Sequence, residues 1–159
     1  MSLRGLDKSI SPILLDSNNK GILFLSGSTI AEDLDELEQH NITHIVNVTD
    51  ILPNTFEHFR NDVNELQFTY HKIPIPDSPL INITEYFPSA FEFIHSAITT
   101  GKRVLVHCFA GKSRSASVII GYLMKYHNMR FEEAFTYVKH IRPSIDPNIG
   151  FYCQLQLQF

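Results

Sequence analysis

The run from Val104 to Met124 constrains this chain more than any other. It reads Val104-Leu105-Val106-His107-Cys108-Phe109-Ala110-Gly111-Lys112-Ser113-Arg114-Ser115, then Ala116-Ser117-Val118-Ile119-Ile120-Gly121-Tyr122-Leu123-Met124. Three apolar β-formers lead into a histidine and a cysteine. A loop with one glycine follows, and after it a helical stretch with almost no polar face. Segments apolar on every side must be buried, so this strand and helix belong in the middle of a layered fold. The turn between them sets a helix N-terminus and a run of backbone amides at the end of a buried strand, a place that suits a phosphate. Cys108 opens the loop, and such surroundings favour a nucleophilic thiolate. Arg114 closes it and offers a two-pronged fork to phosphoryl oxygens. The positive end of a helix dipole repels an arginine, so one placed there points to an anion.

The rest of the chain supplies the layers. Residues 1–20 read as a polar, partly irregular segment with one apolar patch, Ile13-Leu14-Leu15. Residues 21–25, 43–48, 67–73 and 104–106 read as strands. Residues 31–40, 83–98, 115–126 and 130–141 read as helices. Asn82 and Glu85 form a capping-box-like start to the second of these, and Gly101 stops it. Residues 49–65 read as loop. Pro74-Ile75-Pro76-Asp77-Ser78-Pro79 is a proline-stiffened loop after a strand. Arg142-Pro143 ends a helix, and Pro147-Asn148 caps a last one. Strands alternating with helices predict an α/β fold: a central, mostly parallel sheet of about four to five strands flanked by helices. Residues 21–159 form one domain on this reading, which suits a chain of 159 residues. Ligands in such sheets sit at the carboxyl ends of strands, where the Cys108 loop falls.

Charge and cysteine usage narrow the function. The net charge of −4 gives no reason to expect nucleic-acid binding. Residues 1–100 hold 5 Lys and Arg against 14 Asp and Glu, whereas residues 101–159 hold 8 against 3. The half with the Cys108 loop is thus locally basic, as a phosphate-handling site should be; helices sorting charge onto solvated faces give the same asymmetry. The two cysteines, Cys108 and Cys153, form no C-x-x-C, which argues against a thiolate zinc site. No apolar run approaches the ~18–20 residues of a membrane span. Met1-Ser2-Leu3-Arg4 carries no signal segment, and Ser2 stands where a myristoyl chain would need a glycine. The expectation is a cytosolic or nuclear protein without disulfides. Cys153 is read as buried by the last helix, with a redox partnership to Cys108 as the rival.

His107-Cys108, two residues, Gly111, two residues, Arg114 and Ser115 together resemble the signature of cysteine-dependent protein tyrosine phosphatases. Ser113-Arg114-Ser115 and the apolar helix behind them resemble the dual-specificity branch. Pro76-Asp77-Ser78-Pro79 before Asn82-Ile83 is similar to that branch's acid loop. Arg142-Pro143, Pro147-Asn148, Gly150-Phe151 and Gln154-Leu155 match its closing segment. The likeness covers residues 21–157, and the absence of room for an N-terminal docking domain points to the small, atypical members.

The resemblance implies roles. Cys108 is the nucleophile and Arg114 the phosphate clamp. Phe109, Ala110, Gly111, Lys112, Ser113 and Arg114 form the phosphate-binding loop. Asp77 is the general acid, with Asp50 and Asp146 as loop-borne rivals. Ser115 assists departure of the thiolate, or is an ordinary first-turn serine. His107 holds the loop by hydrogen bonds; as a strand neighbour of Cys108 it faces the other way and makes a poor base. Gly111 supplies a backbone angle that other residues resist. Asn82 and Asn148 read as structural caps. The expected partner is a phosphoprotein, dephosphorylated at tyrosine and serine or threonine by a monomer needing no cofactor and no metal, with no membrane or nucleic acid involved. Two alternatives stay open: a phosphoinositide or other non-protein phosphatase on the same loop, for which Lys112 leaves room, and a non-catalytic phosphate-binding module.

Overall fold

The computed structural model describes residues 8–158; the tetrapeptide Met1-Ser2-Leu3-Arg4 lies outside them. Five strands, β1 (Ile10–Leu15), β2 (Gly21–Ser26), β3 (His44–Asn47), β4 (Thr69–Lys72) and β5 (Val104–His107), form one sheet in the order β1-β2-β5-β3-β4. The last four in that order run parallel, and β1 pairs antiparallel with β2. The expected mostly parallel α/β sheet is therefore present. β5 is central, with His107 opposite Ser26 on one side and Asn47 on the other. Cys108 leaves the sheet at the carboxyl edge of its middle strand.

Strand periodicity divides the core. Leu23, Leu25, Val46, Val104 and Val106 face one side, where they pack with the buried residues of α3 (Phe87–Thr99), α4 (Arg114–Tyr126), α5 (Phe131–Ile141) and α6 (Ile149–Gln156). Phe24, Ile45 and Leu105 face the other side, against Ile30, Leu37 and Phe68 around α1 (Ser28–Ala31) and α2 (Leu34–Gln39). Every residue of α4 from Ser115 to Met124 is buried, as its composition requires. Its first turn is held in place by a whole layer of helices, and the loop before it inherits that rigidity.

Several expectations give way. The patch at Ile13–Leu15 is no irregular segment but part of the edge strand β1. Pro12 and two register shifts hid it, and proline is tolerated at a sheet edge. The helix expected over residues 31–40 is two short ones, because the Asp33 carboxylate caps α2 by accepting from the Glu36 amide at 3.2 Å. The strand expected over 67–73 covers Thr69–Lys72. Asn82 is not a side-chain cap: it donates to Glu85 Oε1 at 3.1 Å, while Gln154 Oε1 takes the Ile83 amide. A 3-10 turn, Ile83–Tyr86, leads into α3, whose first turn contains Pro88. Cys153 is exposed, since α6 buries Phe151 and Leu155, and neither cysteine forms a disulfide.

Candidate active site

The loop from Cys108 to Ser113 is shaped from outside. The Phe109 carbonyl accepts from the Ser28 amide at 2.9 Å, the Gly111 carbonyl from Arg142 Nε at 3.0 Å, and the Lys112 carbonyl from the Asp146 amide at 2.8 Å. Carbonyls tied to the surroundings leave the peptide N–H groups for the inside. Among the described residues the amides of Phe109, Ala110, Gly111, Lys112 and Ser113 meet no acceptor. Gly111 has φ +68°, and a Cβ there would stand 2.7 Å from the Ser26 carbonyl carbon and 2.8 Å from the Gly27 nitrogen. Both the angle and the space demand glycine.

This loop lines a pocket of about 270 Å³ together with Asp77, Cys108, Arg114 and Asp146. Cys108 is 3% exposed, and its Sγ lies 3.0 Å from Ser115 Oγ. The hydroxyl is placed to donate to a thiolate. Arg114 is anchored on its far side: Nη1 donates to the Ile75 carbonyl at 3.1 Å and stands 3.7 Å from Asp50 Oδ1. Its Nε is buried without a hydrogen-bond partner among the described residues. A buried guanidinium nitrogen left unpaired is costly unless an anion meets it.

Asp77 reaches the pocket on the proline-stiffened loop and is clasped there. Its Oδ1 accepts from Ser113 Oγ at 2.7 Å and from Asn148 Nδ2 at 2.9 Å. Ser113 Oγ accepts in turn from the Asn148 amide at 2.9 Å. One carboxylate oxygen is thus doubly held, and Oδ2 accepts no hydrogen bond among the described residues.

His107 is buried, and its Nδ1 donates to the Cys108 carbonyl at 3.2 Å. Burial pushes its pKa down to about 4, and Lys72 and Arg114 add to the push against a partial offset from that bond. The imidazole is neutral at ordinary pH and supports the loop. The basic surround expected from the charge count is smaller than the count: Arg142 is buried, Arg130 pairs with Glu133, and Lys139 reaches the Ile145 carbonyl. Lys112 and Arg114 are the cations that line the pocket.

The family model described as "Dual specificity phosphatase, catalytic domain" matches residues 23–158. The chain belongs to that dual specificity phosphatase family. It is 44% identical over 134 residues to mouse dual specificity protein phosphatase 19, covering 84% of this chain and 57% of that protein. It is 43% identical over 133 residues to human dual specificity protein phosphatase 14, covering 84% of this chain and 63% of that protein. The chain therefore spans less than two thirds of the length of these relatives. Among solved structures, the human tyrosine phosphatase-like serine/threonine/tyrosine-interacting protein superposes with a TM-score of 0.78 at 37% identity, over 94% of this chain and 95% of that one.

Within this phosphatase-family fold the sequence left three residues without their full part. Asn148 caps α6 through Oδ1, accepting from the Phe151 amide at 2.9 Å, and also holds Asp77 through Nδ2. Its cap motif explained it so fully that the second bond had no signal. Arg142, read as the end of a helix, is 2% exposed and ties Gly111 to Ser9 and Ser11 of the N-terminal edge. Asn47 is fully buried and folds the loop that carries Asp50, donating to the Leu52 carbonyl at 2.9 Å and Asn54 Oδ1 at 3.0 Å. A polar residue ending a run as apolar as Ile45-Val46 was the available hint.

Proposed function

We propose that this chain is a cysteine-dependent protein phosphatase, with residues 21–159 as its catalytic unit and phosphorylated tyrosine and serine or threonine side chains as its substrates. The observation that carries this reading is the convergence of Cys108 Sγ, unaccepted loop amides, the unpaired Arg114 Nε and the clasped Asp77 on one pocket. The amides and Arg114 bind the phosphoryl oxygens and stabilise the charge of the transferring group. The Cys108 thiolate attacks phosphorus in line, forming a sulfur–phosphorus bond as the oxygen–phosphorus bond breaks. Asp77 gives the Oδ2 proton to the leaving oxygen, then takes one from the water that hydrolyses the phosphocysteine. Ser115 donates to the departing sulfur and lowers the barrier to that second step. Asp50 pairs with Arg114 at 3.7 Å and Asp146 is tied by its amide to the Lys112 carbonyl, so of the three aspartates we assign the acid to Asp77, which two side-chain donors hold in the pocket. The names of the family relatives support this reading. A cytosolic or nuclear monomer is the setting we infer for it.

The test is turnover of an activated aryl phosphate and of a phosphotyrosyl peptide. Cys108→Ser should lose more than about 10³-fold in kcat while inorganic phosphate still binds. Asp77→Ala should lose about 10²-fold or more on the peptide and little on the aryl ester. Hydrolysis surviving in Cys108→Ser would sink the assignment. A chain inactive on both substrates, yet able to bind phosphate, would be a binding module instead.

A further inference from the structure

We propose that the rim of this pocket reads an aliphatic residue next to the phosphorylated one, so that the substrate is a singly phosphorylated stretch of protein chain with an apolar neighbour. This rests on the phosphatase reading above and specifies its substrate class. Among the described residues nine large hydrophobic side chains stand exposed, with Leu80 at 93%, Ile51 at 80% and Ile149 at 69% among them. Single exposed apolar residues need no explanation, but clustered ones mark contact surfaces. All three lie close in the chain to residues of the site: Ile51 follows Asp50, Leu80 comes three residues after Asp77, and Ile149 follows Asn148. Leu80 and Ile149 are the chain neighbours of Pro79 and Gly150, which pack so closely that a Cβ on Gly150 would stand 2.1 Å from the Pro79 oxygen. The same two segments meet again at Asp77 and Asn148. Ile51 follows Asp50, which faces Arg114 across 3.7 Å.

The pocket has a neighbouring depression on the Ile149 side. A second depression of about 330 Å³, lined by Asp146, Pro147, Asn148, Ile149 and Tyr152, shares Asp146 with the catalytic one. The fold does not ask for these exposed side chains, since α6 docks through Phe151 and Leu155 while Ile149 faces out. An extended peptide advances ~3.3 Å per residue, so a neighbour of the phosphorylated residue lies just outside the catalytic pocket. Charge selects the same occupant. Asp146 lines the pocket beside Lys112 and Arg114, and Asp50 stands 3.7 Å from Arg114. One phosphate is accommodated by the loop, while a second one or an acidic neighbour meets like charge.

The experiment compares kcat/KM on phosphotyrosyl and phosphothreonyl peptides that differ only in Leu, Lys or Asp beside the phosphorylated residue. The reference is p-nitrophenyl phosphate, and the comparator is phosphatidylcholine vesicles carrying phosphoinositides. The wild-type chain should prefer Leu over Asp by about tenfold. Leu80→Ser/Ile149→Ser should abolish that preference and leave aryl phosphate turnover within about twofold. Leu80→Ser alone, on a loop, keeps the test valid if the start of α6 is disturbed. An unchanged preference in both variants, or no preference at all with aryl turnover intact, overturns the rim and spares the catalytic reading. Vesicle turnover faster than that of every peptide, and lost in the double variant, makes the rim a membrane contact and also overturns it. A wild-type chain silent on aryl phosphate overturns the catalytic reading and the rim with it.

Discussion

Asn148→Asp isolates the clasp on the acid from the fold that carries it. Aspartate caps a helix as well as asparagine does, so the bond from the Phe151 amide survives and α6 keeps its start. What changes is the group facing Asp77, where a donor at 2.9 Å becomes a second carboxylate. Losing a hydrogen bond of this kind costs about 1 kcal/mol. That loss predicts a drop of roughly fivefold in the step that needs a placed acid. The assay is a series of aryl phosphates with leaving groups of rising basicity, alongside urea unfolding. The loss should grow along the series and vanish for the most activated ester, with stability lowered by no more than the about 1 kcal/mol of the lost bond. In an Asp77→Ala background Asn148→Asp should cost nothing further. An equal loss across the series, or additivity with Asp77→Ala, would refute the reasoning.

Ser115→Ala should leave the first phosphoryl transfer nearly intact and slow hydrolysis of the phosphocysteine, which a rapid-mixing experiment reads as a burst of aryl alcohol. Gly150→Ala should destabilise the chain by about 1–3 kcal/mol and loosen the acid loop, because its Cβ meets Pro79 backbone at 2.1 Å. Gly101→Ala, at φ +78° with nothing within 4 Å, should cost about 1 kcal/mol by backbone strain alone and leave turnover unchanged. His107 titrates near 4 when folded and near 6.5 when unfolded, so the unfolded chain takes up the proton first as pH falls. Stability is therefore intact above pH 6.5 and drops by about 3 kcal/mol between pH 6.5 and 4 on this account. His107→Asn should flatten that part of a urea-midpoint profile.

The central strand, the buried helix and the phosphate loop were legible because each carries a local signal. Val104–Val106 and Val118–Leu123 are apolar on all faces, and Gly111 sits where only a positive φ closes the turn. Order in the chain then set the topology. What stayed hidden was non-local. β1 exists because β2 needs a partner, and its own sequence, broken by Pro12, does not announce a strand. Arg142 lies 31 residues from the Gly111 carbonyl it holds, and Asn148 lies 71 residues from Asp77. No periodicity records a bond of that span. Asp77 is singled out by its loop's likeness to a family, not by any property of the sequence that separates it from Asp50 or Asp146. The structure separates the three by their partners: Arg114 for Asp50, a backbone bond to Lys112 beside Asp146, and two side-chain donors for Asp77.

Three serines within five residues show how the loop and the helix divide this work. Ser113 Oγ, buried at the pocket, turns to the acid loop, donating to Asp77 and accepting from the Asn148 amide. Ser115 Oγ, two residues on, faces Cys108 at 3.0 Å. Ser117 Oγ closes back on the Ser113 carbonyl at 2.7 Å, a bond that steadies the first turn of α4 without touching the pocket. In a continuous helix, residues two apart lie about 200° around the axis, so Ser113 and Ser115 cannot serve one side. That geometry sets the Asp77 clasp and the Cys108 contact at different angles around the same helix start, with Arg114 between them, although both reach one pocket. The N-terminus of α4 therefore couples both halves of the proposed reaction. A shift of that first turn would move the Asp77 clasp and the Cys108 partner together, which is why it is built into a helix buried from Ser115 to Met124 and not into a surface element.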